Sequence, residues 1–190
     1  MIEKYRKTKE TEIHVKLELY GKGESSIATG VGFFDHMLES FSKHALMDLK
    51  ITCKGDTHVD DHHSVEDVGI VLGQAINEAI YPIEKVERFG SATVVMDEAA
   101  LSCDLDLSNR PYLYYDVALD GKVGDFDVEL AEEFFKALVL NAGITAHIVM
   151  QRGKNRHHII EAAFKSLAVA LRRAIAKNER MGIPSTKGVL

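Results

Sequence analysis

The chain has 190 residues, a net charge of −6 and ordinary shares of apolar (46%) and charged (27%) residues, which fit one large domain or two small ones. The acidic balance and the lack of a basic run argue against a nucleic-acid partner, and no stretch reaches the ~18 consecutive apolar residues of a membrane span. The start lacks the apolar segment of a signal peptide, and Cys53 and Cys103 have no CxxC spacing, so we expect a soluble cytoplasmic protein with two buried thiols.

Hydrophobic patterning divides the first half of the chain into short strands and two helices. Partial alternation of apolar residues predicts strands, whereas apolar positions three and four apart predict helices. Asp60 and Asp61 suit the N-terminal end of the second helix, and Pro82 ends it. The predicted elements of this half are strands at residues 11–20 and 25–29, a helix at 33–44, a strand at 46–53 and a helix at 62–80.

The second half of the chain repeats this pattern. Its predicted elements are strands at residues 91–96, 100–107 and 112–117, a helix at 127–141, a strand at 144–151, a helix at 156–178 and an irregular tail at 182–190. Aligning residues 44–46 with residues 141–143 places helix on helix and strand on strand, and it sets His36 opposite Glu133. The recurrence of these elements in order predicts an internal duplication of ~95 residues.

These observations predict an α+β fold made of a duplicated pair of half-domains, each a small mixed β-sheet packed against two helices. The boundary falls around residues 83–87, which gives a first half-repeat at residues 1–84 and a second at residues 85–190. Half-domains of this size bury too little surface to fold alone, so we expect them to share one core as a single compact unit.

A His-His-x-x-Glu motif begins the long helix of each half. The two copies are His62-His63-x-x-Glu66 and His157-His158-x-x-Glu161. Residues three and four apart share a helix face, so one histidine of each motif can meet the glutamate at a metal ion, while the adjacent histidine points about 100° away. Imidazole and carboxylate without thiolate favour Mn, Fe, Zn or Ni. One such motif also fits a polar helix start capped by its own acids, but two copies in register indicate a metal-dependent enzyme.

The remaining histidines give weaker signals. His36 opens a helix, where a histidine is usually a cap or a packed group, but the duplication sets it opposite Glu133, another candidate ligand. His14 and His58 are interpreted as surface or packing residues. His147 lies in an apolar strand and is predicted to be a core histidine, with a ligand role as the alternative.

Basic residues in acidic surroundings suggest an anionic substrate. A phosphate group favours guanidinium forks, an ammonium group and a hydroxyl around it. The candidates are Arg88, Arg110, Lys165, Ser185, Thr186 and Lys187. Two other classes fit the same residues: a dimetal phosphatase or other hydrolase, in which the metals activate water, and a metal-storing or metal-dependent structural protein.

Eight segments of the chain form a distinctive set. They are KETEI, GVGFFDHMLESFSKHA, KGDTHVDDHHSVEDVG, ERFG, MDEA, LDLSNRPYL, GKNRHHIIEAAFKSLAVALR and PSTKGVL. In these segments the chain resembles the imidazoleglycerol-phosphate dehydratases, lyases of histidine biosynthesis, from about residue 8 to its end. The resemblance implies a duplicated α+β fold and a homo-oligomer of 24 chains whose active sites form between subunits.

The resemblance also implies an active site with two Mn²⁺ ions. The family pattern carries the metal ligands onto His36, His62, His63, Glu66, His157, His158 and Glu161. It places substrate contacts at Glu10, His36, His44, Arg88, Arg110, Lys165, Ser185 and Lys187. One position departs from the pattern, because Glu133 stands where the family usually has a histidine. Glu133 is therefore the expected eighth ligand, and a carboxylate is a hard ligand that suits Mn²⁺.

The implied reaction converts imidazoleglycerol phosphate to imidazole acetol phosphate with loss of water. The proton to be lost is not next to a carbonyl, so no ready enolate stabilises the carbanion. We expect metal ions on both imidazole nitrogens to favour imidazolate, which expels the adjacent hydroxyl. Glu10 is the expected general base for the side-chain proton, and the resulting enol becomes the ketone.

Overall fold

The computed structural model describes residues 1–188 and folds them into two four-stranded sheets, a short hairpin and four helices. The strands are β1 (Ile2–Lys7), β2 (Thr11–Glu18), β3 (Ser25–Ala28), β4 (Asp48–Gly55), β5 (Phe89–Met96), β6 (Ala99–Asp106), β7 (Tyr112–Asp116), β8 (Lys122–Val123), β9 (Phe126–Asp127) and β10 (Thr145–Arg152). The helices are α1 (Gly32–Ala45), α2 (His62–Ile80), α3 (Glu129–Ala142) and α4 (Arg156–Ala174).

The two sheets have the same topology. The first has the order β1-β2-β4-β3 and the second the order β5-β6-β10-β7. In both sheets the first three strands pair antiparallel, and the last strand pairs parallel with its neighbour. The predicted α+β fold of duplicated half-domains with mixed sheets is confirmed.

The helices lie in a layer between the two sheets. Each sheet buries alternate residues on one face only, for example Ile13, Val15 and Leu17 on β2, as expected for a sheet with one packed and one solvated face. α2 packs on β1 and β2, and α4 packs on β5 and β6, while α1 contacts α4 and α2 contacts α3 across the halves. One contiguous apolar core therefore joins both halves. The boundary between residues 84 and 85 stays a prediction.

Helices α2 and α3 approach closely because two positions on α2 have no side chain. A Cβ atom added at Gly73 would lie 2.6 Å from the Leu138 carbonyl oxygen, and one added at Gly69 would lie 2.9 Å from the Phe134 carbonyl oxygen. Contacts below 3.0 Å are not tolerated by real Cβ atoms. The two glycines therefore set the distance between the helices.

Several elements differ from the sequence-based expectation. Strand β1 and the β8–β9 hairpin are not predicted by hydrophobic patterning, and α4 ends at Ala174 rather than at residue 178. None of the helices in the described range, residues 1–188, is long and apolar enough to cross a membrane.

The burial of the two cysteines and of the histidines outside the motifs can be compared with the predictions from the sequence. Cys53 and Cys103 are buried free thiols, as predicted, and His14 and His58 are exposed. The prediction of a core position for His147 is wrong. Its neighbours Ala146 and Ile148 take the buried face of β10, so His147 lies exposed on the outer face of the second sheet, beside Tyr114 at a ring-centroid distance of 5.5 Å.

Candidate active site

Both histidine motifs begin a long helix, as the sequence predicts. The side chain of Asn155 caps α4 by accepting hydrogen bonds from the backbone N–H groups of His157 and His158, which satisfies donors that the first helical turn leaves unpaired. At α2 the Asp60 carboxylate accepts the N–H of His62 at 2.9 Å. Side-chain acceptors therefore satisfy backbone N–H groups at the start of both helices, where the two motifs lie.

The clearest ligand group lies where α1 meets α4. Oε2 of Glu161 is 3.0 Å from Nε2 of His157 and 3.5 Å from Nε2 of His36. Each of the three residues offers one ligand atom within 4.8 Å of the others. Ligand atoms that share a first-row metal ion at ~2.0–2.2 Å lie up to ~4.4 Å apart, a range that includes the 3.0 and 3.5 Å separations from Oε2 of Glu161. The mixed nitrogen and oxygen donors suit Mn²⁺ among others. The residues present therefore fit a metal ion.

Glu161 is buried, yet it remains an anion. Burial by itself raises its pKa, but the hydrogen bond and charge of Lys165, together with His157 and His36, outweigh burial and leave the pKa below its ordinary value. Nζ of Lys165 is 2.7 Å from Oε1 of Glu161. One carboxylate thus joins a predicted substrate contact to two predicted metal ligands.

The same helix pair carries His44 at the other end of α1. Its backbone carbonyl accepts a hydrogen bond from Nη1 of Arg172 on α4. Burial lowers the pKa of His44, and the charges of Lys165 and Arg172 lower it further. His44 is therefore a neutral imidazole at neutral pH, able to donate one hydrogen bond and accept another.

A second group surrounds the start of α2. Nε2 of His62 is 3.4 Å from Oε2 of Glu66. Nδ1 of His63 is 3.0 Å from an oxygen of Asp56, and its Nε2 is 4.0 Å from Oε1 of Glu10. The hydrogen bond to Asp56 raises the pKa of His63. The two histidines thus face different partners, as their adjacent positions on a helix require.

His158 lies apart from the group formed by His36, His157 and Glu161. Nδ1 of His158 is 2.8 Å from Oε2 of Glu98, and its Nε2 is 3.7 Å from Oδ2 of Asp97. The hydrogen bond from His158, with those from the backbone of Asn155 and Lys154, lowers the pKa of Glu98 to about 2. Both acids come from the turn between β5 and β6.

Within residues 1–188 of one chain, the ligands of the two motifs do not form a common group. Among residues 1–188, the group of His36, His157 and Glu161 is the one set of three potential ligands that meet. Glu133 lies on α3 with Oε2 3.9 Å from Nζ of Lys136, and no ligand group in this range includes it. Its role as the eighth ligand stays a prediction.

Two of the candidate phosphate contacts, Arg88 and Arg110, lie beside Asp106. Arg88 donates to both oxygens of Asp106, at 2.7 and 3.2 Å, and to the carbonyl of Pro184 at 2.7 Å. Nη2 of Arg110 is 3.9 Å from Asp106. The bond to Pro184 ties the tail before Ser185 to Arg88, whereas Lys187 is exposed and Lys165 belongs to the Glu161 group.

Three acids that contact candidate site residues are not predicted from the sequence. Asp56 and Glu98 bind the second histidine of each motif, and Asp106 binds Arg88. Asp56 and Glu98 lie in the KGDTHVDDHH and MDEA segments quoted above, which is the signal that could have drawn attention to them. Asp56 contacts a histidine seven positions further along the chain, and Glu98 contacts one 60 positions further along. The fold is needed to show both contacts.

Comparison with known proteins identifies the family. The family model described as imidazoleglycerol-phosphate dehydratase matches residues 29–171. Imidazoleglycerol-phosphate dehydratases of Sulfurimonas denitrificans and Sulfurovum sp. are 73% and 67% identical to this chain over 100% of both proteins. A solved structure of IGPD from Pyrococcus furiosus matches with a TM-score of 0.85 at 41% identity, covering 98% of this chain and 100% of that one. A crystal structure of the dehydratase from Staphylococcus aureus matches with a TM-score of 0.83 at 42% identity, covering 93% and 99%. The chain therefore belongs to the imidazoleglycerol-phosphate dehydratase family and is an enzyme of the hydro-lyase class.

Proposed function

We propose that this enzyme converts imidazoleglycerol phosphate to imidazole acetol phosphate in histidine biosynthesis, with two Mn²⁺ ions in each active site. The observation that carries the proposal is the convergence of His36, His157 and Glu161, with Lys165 hydrogen-bonded to the same carboxylate. This group combines metal-binding donors with a cation for an anionic substrate, and it lies within the span matched by the family model.

Eight residues are proposed to hold the metal ions. They are His36, His62, His63, Glu66, Glu133, His157, His158 and Glu161. The donor chemistry fits: every member is an imidazole or a carboxylate, which suits Mn²⁺. When bound, the ions supply Lewis acidity that stabilises negative charge on the substrate's imidazole ring.

Glu10 is proposed to act as the general base. It lies exposed immediately before β2, and its carboxylate approaches the Nε2 side of His63 at 4.0 Å. Asp56 occupies the other side of that imidazole, so Glu10 is free to face a substrate bound beside His63. A carboxylate in this place can remove the side-chain proton that dehydration requires.

The phosphate group is proposed to bind between the two arginines and the tail. Arg88 is held by Asp106 and Pro184, while the side chain of Arg110 is 72% exposed and free to reach an anion. The other proposed substrate contacts are Glu10, His36, His44, Lys165, Ser185 and Lys187. Rigid placement of the phosphate orients the rest of the substrate toward the reacting groups.

The active enzyme is proposed to be a cytoplasmic oligomer of 24 chains, with sites formed between subunits. Support comes from the separation of the ligands, because the group of three around Glu161 omits His62, His63 and Glu66 within residues 1–188. A second copy of the chain could supply the missing half of each site.

The test is turnover of imidazoleglycerol phosphate by metal-stripped protein, with and without added Mn²⁺, followed by formation of the ketone product. We expect product only with the metal. Absence of product from protein with Mn²⁺ bound would contradict the proposal. Release of inorganic phosphate from a generic phosphate ester would instead identify a dimetal hydrolase.

A further inference from the structure

Glu98 connects the turn between β5 and β6 to the start of α4. Its Oε1 accepts hydrogen bonds from the backbone N–H groups of Lys154 and Asn155, at 3.1 and 2.7 Å. Its Oε2 accepts a hydrogen bond from Nδ1 of His158 at 2.8 Å. Both oxygens therefore have partners, and all three donors belong to the loop and first turn that carry the second histidine motif.

The contact with Glu98 determines which ring nitrogen of His158 keeps a lone pair that can bind a metal ion. A neutral imidazole has one N–H donor and one acceptor nitrogen, and a carboxylate can only accept. With the proton on Nδ1, the lone pair of Nε2 points away from Glu98. We propose that Glu98 is a positioning residue that fixes His158 as the Nδ1–H tautomer and directs Nε2 to the metal ion. This inference rests on the metal site of the proposed function.

The first half of the chain reaches the same arrangement from a different loop. There, Asp56 binds Nδ1 of His63. Asp56 follows β4, whereas the residue that follows the matching strand β10 is Gly153, which has no carboxylate. The two halves therefore place an acid on the same nitrogen of the second histidine from non-equivalent positions, as expected if the contact serves those histidines.

The duplication also relates Glu98 to Glu10. β2 begins at Thr11 and β6 at Ala99, so the two glutamates precede equivalent strands. Because Asp56 already holds Nδ1 of His63, Glu10 is not needed there and lies near Nε2 instead. One ancestral position thus has two roles, orienting an imidazole in one half and facing the substrate in the other.

The substitution Glu98→Gln separates positioning from a purely structural role. The amide oxygen of glutamine can keep both backbone hydrogen bonds, which places the NH₂ group against Nδ1 of His158. Nδ1 must then accept, so the proton moves to Nε2 and blocks the nitrogen directed at the metal. The loop stays attached to the turn while the ligand is lost.

The experiment is a Mn²⁺ titration of the metal-stripped, full-length protein, with free Mn²⁺ measured by electron paramagnetic resonance and the melting temperature measured without metal. In Glu98→Gln we expect one of the two classes of bound Mn²⁺ to weaken ~10–100-fold, the usual effect of losing such a partner, with an unchanged melting temperature. Glu84→Gln, at an exposed glutamate outside the site, is the matched control and should bind like the parent protein.

Two results would overturn the inference, and they are distinguishable. Parental affinity for both classes in Glu98→Gln would mean that Glu98 only connects the turn to α4. Failure of the parent protein itself to bind Mn²⁺ would remove the proposed metal site and the inference together. Asp56→Asn should weaken Mn²⁺ binding by the same mechanism at His63.

Discussion

The carboxylate of Glu10 has fewer partners than those of Asp56, Glu98 and Glu161, which also lie near the motif histidines. Asp56 is engaged by Nδ1 of His63, and Glu98 by His158 and two backbone groups. Glu161 is held by Lys165 and His157. The carboxylate of Glu10 is exposed, and within residues 1–188 its one ion-pair contact within 4.0 Å is with His63, at 4.0 Å. A base must exchange its proton during turnover, which an acid held by several donors does poorly.

The substitution Glu10→Gln tests this role directly. We expect turnover of imidazoleglycerol phosphate to fall by ~10²–10⁴-fold, the usual contribution of a general base, because the amide cannot accept the substrate's proton. Mn²⁺ affinity should stay at the parental value, since Glu10 is not a proposed ligand. Steady-state rates and a Mn²⁺ titration measure the two quantities.

A nearby glutamate provides the control for Glu10. Glu12 lies two residues further on and pairs with Lys7 on the outer face of the first sheet, so Glu12→Gln should retain turnover. Full activity of Glu10→Gln would remove Glu10 from the reaction. Loss of Mn²⁺ in that variant would show that Glu10 acts through the metal site.

The sequence predicts which candidate site residues share a helix face, but not which acids from other elements contact them. Helical periodicity puts His157 and Glu161 on one face, and their 3.0 Å contact follows from local geometry alone. The Glu98–His158 contact spans 60 positions and needs the correct packing of α4 on β5 and β6. The predicted core position of His147 is wrong because the apolar residues of a strand do not by themselves show which face of the sheet is packed.

At the scale of elements, hydrophobic patterning does not predict β1, because charged residues occupy the face of this strand that packs on α2. Lys4 and Arg6 alternate with outward residues, and they pair with Glu78 and Asp67 on α2 at 2.5 Å. Hydrophobic alternation, the main signal for a strand, is therefore absent. The helices and the other long strands were predicted because their packed faces are apolar, and their ends were misjudged by a few residues, as at Ala174.

At the contact between α2 and α3, we expect a glycine-to-alanine substitution to destabilise the protein, although helix propensity alone predicts the opposite. Alanine is favoured over glycine within a helix by ~1 kcal/mol. At Gly73, however, a Cβ atom would lie 2.6 Å from the Leu138 carbonyl oxygen and 2.8 Å from Cβ of Asn141. We expect Gly73→Ala to destabilise the protein by ~1–3 kcal/mol, the usual cost of overpacking, and to lower the thermal unfolding midpoint.

The neighbouring residue on α2 provides the control for Gly73. Gln74 is exposed, so Gln74→Ala should change the stability by no more than ~0.5 kcal/mol. A raised midpoint for Gly73→Ala would mean that α2 and α3 can separate without cost. Close packing of the two half-repeats would then not depend on this glycine.

At the scale of the whole molecule, the duplication places one motif at the start of α2 and the other at the start of α4. His36 joins the α4 motif, because α1 packs against α4. The equivalent position on α3, which packs against α2, is Glu133, and it meets no ligand group within residues 1–188. The α2 motif of a lone chain is thus less complete than the α4 motif. If sites form between subunits, the α2 motif of one chain completes the α4 motif of another.

Co-assembly of two defective chains tests this arrangement. One chain carries His63→Ala and Glu66→Ala, and the other carries His157→Ala and Glu161→Ala, so neither has two intact motifs. We expect each variant alone to be inactive, but co-expression should restore activity in roughly one quarter of the sites, since random pairing across a heterologous interface joins an intact α2 motif to an intact α4 motif that often. Turnover of the purified mixed oligomer measures the recovery, and mixing of separately assembled variants is the control. An inactive mixed oligomer would mean that each site draws both motifs from a single chain, because no chain in the mixture has both.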